Sequence, residues 1–214
     1  MDKIILIGID FSLISPAVCI QFPNGEYKFI SFFDDYGKEY KTSKSKKFHY
    51  HRELSEIMEL IPYTRIIHKD NYRNEQTSKM KSAKYISSLI VSKLKDIVGD
   101  NNVKIGIEGF SYGSISSSTL DLALYNSFLR IKLLETFGDE CLIVISPMEG
   151  KKKLSNKGNA NKDIMIDSFI NNNLKDENLL SNSFWNYCKD NNLDYKNIKP
   201  IDDLVDSYAI LKSI

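Results

Sequence analysis

The 214-residue sequence contains little of what disulfide-rich domains and zinc proteins are built from. It has three cysteines, Cys19, Cys141 and Cys188, an odd number at wide spacing. Such a set argues against a disulfide framework and against the paired cysteines of a structural zinc site. Cys19 and Cys141 lie within strand-like apolar segments, so we expect both to be buried, unreactive thiols.

Long hydrophobic runs are also missing. No apolar stretch approaches the roughly 20 residues of a membrane-spanning helix. The N-terminus lacks the basic flank and small-residue cleavage site of a secretory signal, so its apolar segment is typical of a first strand. The sequence is 42% hydrophobic and 27% charged, a composition that favours a folded globular domain. We therefore expect a soluble cytoplasmic protein with no membrane partner.

Histidine is scarce as well, with only His49, His51 and His68 in the chain. A serine nucleophile needs a base beside it, and none of these three positions offers a fitting one. His49 and His51 can form a metal pair or contact phosphate from a basic loop. Without neighbouring acids, the pair is a weak metal motif.

Charge is nearly balanced overall, with a formal net charge of +1, but it is unevenly distributed. Residues 36–52 carry six basic side chains against Glu39 alone. A second basic cluster contains Lys151, Lys152, Lys153, Lys157 and Lys162. Each cluster is either a solvated loop or part of a basic nucleic-acid-binding face. If acidic residues were gathered in one pocket, their negative charge would offset that of a basic face, and the net charge would stay near zero.

Hydrophobic patterning predicts an α/β domain with a mixed five-stranded sheet and helices on its faces. Asn24-Gly25 between two apolar runs indicates a hairpin, so the first three strands form an antiparallel meander. The predicted strands span 3–10, 16–22, 26–33, 103–108 and 141–145. The predicted helices span 78–98, 118–137 and 161–171, with a last one from about 201 to the end.

We expect one domain over residues 1–214, interrupted by two long polar insertions. These lie at about 34–76 and 172–199. The first contains a possible short helix near 52–60. Segments of this length in a compact domain are usually functional or mobile.

Four carboxylates stand where nucleic-acid chemistry would need them. Asp10 ends the run Ile-Ile-Leu-Ile-Gly-Ile-Asp, and Glu108 ends Val-Lys-Ile-Gly-Ile-Glu. Asp203 and Asp206 lie three residues apart in the last predicted helix, so they share one face. Any one of these acids alone is explained as a turn or cap residue. Glu108 is harder to explain in that way, because Glu in an apolar run is rarely buried without a partner.

Strand alternation supports a shared site for these acids. It places Asp10 on the same strand face as Gly8, and Glu108 on the same face as Gly106. A glycine beside each acid leaves room for a metal or a helix to approach closely. Carboxylate oxygens select Mg²⁺ or Mn²⁺, and two such ions can clamp a phosphodiester for hydrolysis.

The motifs, taken in order, resemble the RuvC family of Holliday-junction resolvases, in the ribonuclease H-like superfamily. Residues 8–13 (Gly-Ile-Asp-x-Ser-Leu) resemble its first motif, and residues 105–110 (Ile-Gly-Ile-Glu-Gly-Phe) its second. The basic segment 146–165 and the terminal Asp-Leu-Val-Asp-Ser-Tyr-Ala of residues 203–209 follow in the family's order. The resemblance covers most of the chain outside the two insertions.

The resemblance implies a ribonuclease H-like fold and a homodimer that cuts four-way DNA junctions by paired nicks. It implies that the metal ligands and catalytic residues are Asp10, Glu108, Asp203 and Asp206, holding two Mg²⁺ or Mn²⁺ ions. Lys152, Lys153 and Lys162 would lie near the scissile phosphates. Asp202 would then be left as the cap of the last helix.

Further DNA contacts are expected from the rest of the second basic cluster and from two loops. Lys157 belongs to that cluster, and Ser12 is a loop, capping or phosphate-contact residue. Tyr112 can stack on unpaired bases. Phe110 can do the same or pack in the core.

The sequence also departs from the family pattern. The stretch between Asp10 and Glu108 is long, the segment before the last helix is expanded, and Ser207 replaces the usual Ala. These departures suggest a divergent member, from a phage or other virus, acting in a bacterium or an infected cell. They leave two alternatives open. One is a related nuclease acting on flaps, forks or RNA–DNA hybrids, and the other is a junction-binding protein without catalysis.

Overall fold

The computed structural model of the chain describes residues 4–34, 54–56, 58–110, 117–173, 190 and 199–214. These residues form one six-stranded sheet with the order β4-β3-β2-β1-β5-β6. The strands are β1 (Ile5–Asp10), β2 (Ala17–Gln21), β3 (Tyr27–Asp34), β4 (Glu59–Tyr63), β5 (Val103–Glu108) and β6 (Leu142–Ile145). The helices are α1 (Tyr72–Val98), α2 (Ser117–Phe137), α3 (Pro147–Ser155), α4 (Lys162–Asn173) and α5 (Ile201–Leu211).

The meander of β1, β2 and β3 is antiparallel, as predicted. The hairpin turn between β2 and β3 uses Gly25 at φ +88°, a conformation that glycine adopts without strain. β5 pairs parallel with β1, and β6 pairs parallel with β5. The predicted mixed α/β architecture is therefore confirmed.

The sheet has a sixth strand that the sequence did not predict. β4 lies at the edge and pairs parallel with β3, inside the segment predicted to be irregular. Leu54–Glu56 forms a short 3₁₀ helix just before it. In addition, α1 begins at Tyr72 rather than at the predicted Ser78. The helix α3 was not predicted, because a loop was expected before the helix at 161–171. Most of the insertion at 172–199 lies outside the described residues.

Each face of the sheet carries its own hydrophobic core. One face packs against α1 and α2 through β-strand side chains such as Ile7 and Ile9, both fully buried. The opposite face packs against α3, α4 and α5, with Phe169 and Leu204 at its centre. Burying a side chain of this size stabilises the fold by about 1.5–3 kcal/mol. The helices thus cover both faces, as predicted.

Cys19 and Cys141 are both buried free thiols, which confirms the prediction for them; Cys188 lies outside the described residues. Among the described residues, none of the helices has both the length and the apolar character needed to cross a bilayer.

Candidate active site

Two parallel strands bring the first two acids together. In the β1–β5 pair, Gly8 lies opposite Gly106. Asp10 and Glu108 each stand two residues beyond these glycines and end their strands. Because parallel strands in register end at the same edge of a sheet, the two carboxylates lie beside one another there.

The last helix lies directly on this part of the sheet. A Cβ atom added to Gly8 would come within 2.1 Å of the Ser207 carbonyl oxygen and 2.5 Å of the Leu211 amide nitrogen. A Cβ atom at Gly106 would come within 2.9 Å of Ile210 Cγ2. The space left by the glycines is therefore filled by α5, which is one of the two uses predicted for it.

The helix carries the second pair of acids to the same place. Asp203 is buried, with 6% of its surface exposed, and Asp206 is half-buried. Burial, and then repulsion from the other three carboxylates, raises the pKa of Asp10 well above its ordinary value. Since repulsion of this kind requires proximity, Asp10, Glu108, Asp203 and Asp206 form one cluster, which we call the acidic cluster.

Burial also raises the pKa of two other members, and repulsion adds to the rise at Asp206. Burial, followed by repulsion from Glu108 and Asp203, raises the pKa of Asp206 to about 7. Burial also raises the pKa of Glu108, against the opposing charge of Lys151. Each carboxylate is thus less ready to ionise than a solvated one, as expected for anions gathered without a cation.

Asp203 differs from the other three because direct partners hold it. Ser15 Oγ donates to Asp203 Oδ2 at 2.5 Å. Lys199 Nζ donates to Asp203 Oδ1 at 2.9 Å and to Oδ2 at 3.1 Å. Burial and repulsion from Asp202 raise the pKa of Asp203, and Lys199 and Ser15 oppose the rise. Ser12 Oγ accepts from the Ser15 amide at 2.9 Å and so fixes the turn that presents Ser15.

Asp202 does not cap the last helix, so that prediction is wrong. The N-cap position is Pro200, with no side-chain capping bond. The Asp202 carboxylate instead accepts from Lys199 Nζ at 2.6 Å and forms an ion pair with Lys162 of α4. Burial opposes ionisation of Asp202, but these two ammonium groups hold its pKa below the ordinary value.

The predicted DNA-binding lysines lie on and after α3. Lys152 and Lys153, in the last turn of this helix, and Lys157, just after it, are exposed. Lys162 begins α4, and its ammonium group is paired with Asp202. Because α3 and α4 pack on the same sheet face as α5, these lysines lie on the side of the sheet that carries the acidic cluster.

The end of β5 is tied to the opposite face. Arg130 of α2 donates to the Glu108 carbonyl oxygen at 2.8 Å. The same guanidinium lies 4.6 Å from the centre of the Phe110 ring. Phe110 therefore packs under Arg130 rather than standing free. Tyr112, the other predicted stacking residue, lies outside the described residues, as do His49 and His51.

The donor chemistry of the acidic cluster fits Mg²⁺ or Mn²⁺, since all its ligating atoms are carboxylate oxygens. Among the described residues, no group of three or more acidic, histidine or cysteine side chains is arranged, as it stands, to hold one metal ion. Sharing one ion would therefore require these side chains to rotate. Asp10, Glu108 and Asp206 are half-buried and open to solvent, which permits it.

Sequence reasoning missed two residues of the site, Ser15 and Lys199. Lys199 stands four residues before Asp203, which is the spacing of neighbours on a helix. Pro200 between them indicates a turn instead, so the spacing carried no clear signal. Ser15 reaches Asp203 across 188 residues of chain, and no local pattern points to that contact.

No protein-family model and no curated protein matches the sequence. Solved structures do match. RuvC from Thermus thermophilus has a TM-score of 0.50 and 10% identity, over 98% of this chain and 92% of that one. The same protein in complex with a Holliday junction substrate has a TM-score of 0.50 and 11% identity, over 98% and 91%.

A resolvase from a different kind of organism matches as well. The yeast mitochondrial Holliday junction resolvase Ydc2 has a TM-score of 0.50 and 16% identity, over 99% of this chain and 77% of that one. Matches that span nearly the whole of this chain at such low identity establish a shared architecture. The chain therefore has the ribonuclease H-like fold of the RuvC-type Holliday-junction resolvases.

Proposed function

We propose that this chain is a divalent-metal-dependent endonuclease that resolves four-way DNA junctions. One observation carries the proposal. The acidic cluster lies at the carboxyl edge of β1 and β5, under α5, in a fold that the chain shares with two junction resolvases. Acids that merely cap elements would have no reason to converge at one point.

Asp10, Glu108, Asp203 and Asp206 would hold two Mg²⁺ or Mn²⁺ ions. Such ions activate water and stabilise the leaving oxygen in phosphodiester hydrolysis. The chain's own contribution is to place the ligands. The register of β1 and β5 sets Asp10 and Glu108 side by side. Close packing of α5 on the sheet sets the distance of Asp203 and Asp206 from it. A nucleophilic side chain is not required.

DNA would lie along the lysines of α3 and of the start of α4. Lys152, Lys153 and Lys157 are exposed and free to contact phosphates, and Lys162 would contact one by exchanging its partner Asp202. Ser12 supports the turn at Ser15 and is proposed as a phosphate contact in addition. Tyr112 remains a proposed base-stacking residue.

Paired nicks need two active sites, and each chain supplies one acidic cluster. The proposal therefore includes a homodimer with two symmetric sites, each carried on a single domain that spans residues 1–214. It also includes a cytoplasmic location and a phage or other viral origin.

The test is cleavage of a synthetic four-way junction with Mg²⁺ or Mn²⁺, compared with a linear duplex, a flap, a fork and an RNA–DNA hybrid. We expect symmetric nicks in the junction. Glu108→Gln should reduce the rate by about 100-fold or more, because removing a charged ligand costs several kcal/mol of transition-state stabilisation.

The matched control is Glu135→Gln, an exposed acid on α2, across the sheet from the acidic cluster. It should cut at the wild-type rate. An intact junction with wild-type protein and either metal, or full activity of Glu108→Gln, would refute the proposal. Faster cleavage of flaps, forks or hybrids than of junctions would assign the site to a different substrate.

A further inference from the structure

Among the described residues, one ammonium group, that of Lys199, is in direct contact with a carboxylate of the acidic cluster. It contacts both oxygens of Asp203, at 2.9 and 3.1 Å, and Asp202 Oδ2 at 2.6 Å. One third of the Lys199 side chain is exposed. With Ser15 at Oδ2, both oxygens of Asp203 already accept hydrogen bonds.

The rest of the cluster is different. In the part of the chain that the structure describes, no hydrogen-bond donor or ion-pair partner contacts the carboxylates of Asp10, Glu108 or Asp206. Lys199, Lys151 and Lys162 act on Asp10, Glu108 and Asp206, respectively, only through their charge. The cluster therefore has an open side, where three carboxylates lack a direct partner, and a closed side at Asp203.

The structure also contains a place to which Lys199 can move. Asp202 Oδ1 is buried and has no hydrogen-bond partner among the described residues. An unpaired buried carboxylate oxygen is costly, so it would readily accept the ammonium group if Asp203 were released. Lys199 already contacts the other oxygen of Asp202, so the movement is short.

We propose that Lys199 makes the two sides of the acidic cluster bind divalent cations with different affinities. Its ammonium group occupies the Asp203 side and must move to Asp202 before that side can bind a metal. The inference rests on the proposed function, because it concerns the same ligands. It implies stepwise filling. The open side binds a cation without displacing any group, whereas the closed side fills only at higher metal concentration.

The experiment is Mn²⁺ binding without DNA, measured by electron paramagnetic resonance of free Mn²⁺ and by calorimetry. Wild-type protein should bind one ion tightly and a second more weakly. Lys199→Met should tighten the second ion by about tenfold or more, because it removes a positive charge in direct contact with Asp203. Lys199→Arg keeps the charge and should behave like wild type.

Lys162→Met is the matched control for charge alone. It removes one positive charge from Asp202 but none that contacts Asp203. The inference requires a clearly smaller effect on the second ion than that of Lys199→Met. Equal tightening by both variants would mean that general electrostatics, rather than displacement of Lys199, sets the affinity, and would overturn the inference.

A second measurement on wild-type protein avoids dependence on the folding of Lys199→Met. The lysines are labelled with ¹³C at Cε, which leaves their ammonium groups unchanged, and the Lys199 signal is identified by its absence in Lys199→Arg. During a Mg²⁺ titration, this signal should move only as the second ion binds. Movement with the first ion, or none at all, would overturn the inference while leaving metal-dependent cleavage intact. Wild-type protein that binds no Mn²⁺ would refute the proposed function as well.

Discussion

At the scale of single residues, the carboxylates of the acidic cluster make ionisation of one another less favourable. Burial and the charges of Glu108 and Asp203 raise the pKa of Asp206 to about 7. The carboxyl group of an unfolded Asp titrates near 3.9. Between these two pH values the metal-free folded protein therefore holds a proton that the unfolded chain does not.

This difference predicts how stability depends on pH. A carboxyl group with a raised pKa stabilises the fold while it is protonated, so the metal-free protein should lose stability as pH rises from about 4 to 7. Asp206→Asn cannot ionise and escapes this loss. At pH 8 in EDTA we expect the variant to exceed wild type by about 2 kcal/mol, or about 4–8 °C in melting temperature, and we expect this excess to shrink as the pH falls to 5.

Thermal melting at pH 5, 6, 7 and 8, with EDTA or with Mg²⁺, measures this prediction. Mg²⁺ should restore the stability of wild type at pH 8 and have less effect on Asp206→Asn, which has lost a charged ligand. Parallel curves for the two proteins from pH 5 to 8 in EDTA would show that Asp206 does not titrate in this range.

The four acids were predictable because local rules locate them. Asp10 and Glu108 end apolar strands, and Asp203 and Asp206 have helical spacing. Lys199 was not predictable, since its contacts depend on the path of the turn before α5. The cap prediction for Asp202 failed for a related reason. Two ammonium groups, one of them from α4, compete for its carboxylate, and sequence spacing does not show that α4 lies beside α5.

At the scale of elements, the contact between α5 and the sheet positions the acidic cluster. At Gly8, the helix backbone itself occupies the space where a Cβ atom would lie. Backbone cannot rotate away as a side chain can. At Gly106, the nearest atoms are the Cγ2 methyl groups of Ile210 and Ile214, at 2.9 and 3.1 Å, and the backbone comes no closer than the Ile210 carbonyl oxygen at 3.3 Å. The obstruction is therefore weaker than at Gly8.

A series of Gly→Ala variants tests this contact. Gly8→Ala should lift α5 from β1 and destabilise the fold by about 3 kcal/mol or more, whereas Gly106→Ala should cost about 1–2 kcal/mol. Gly150→Ala is the control, because nothing lies within 4 Å of an added Cβ in α3. Alanine there should be neutral or stabilising by up to about 1 kcal/mol.

Chemical denaturation gives these free energies, and Mn²⁺ binding reports on the position of α5. Wherever Gly8→Ala still folds, it should bind Mn²⁺ more weakly, because Asp203 and Asp206 have moved away from Asp10. A Gly8→Ala protein with the stability and Mn²⁺ affinity of wild type would show that close packing of α5 does not set the site.

The elements were predictable to different degrees. The hairpin strands, β5 and α2 follow directly from apolar periodicity and turn residues. β4 was missed because it is five residues long and contains Pro62, which argues against a strand except at an edge. Its pairing with β3 is parallel and spans an insertion, so it depends on non-local contacts. α3 was missed although Ser146 caps it and Pro147 begins it, because a lysine run and Gly150 concealed its helical character.

At the scale of the whole molecule, one chain supplies one acidic cluster, and a resolved junction needs two cuts. The predicted homodimer would join two clusters in a single particle. Light scattering should therefore give about twice the chain mass of 24.6 kDa. Mass alone does not show that the two sites act together, so the stronger test uses a supercoiled plasmid that extrudes a cruciform.

In that plasmid, two coupled nicks across the junction give a linear product, whereas a single nick gives an open circle. Wild-type protein should give mainly linear DNA. Wild type refolded with a large excess of Glu108→Gln forms mostly mixed dimers, each with one complete acidic cluster, and should give mainly open circles. Glu135→Gln, mixed in the same ratio, should leave the linear product unchanged. The share of linear DNA could instead stay constant at all Glu108→Gln ratios while light scattering gives the mass of one chain. That result would show that each chain cuts alone.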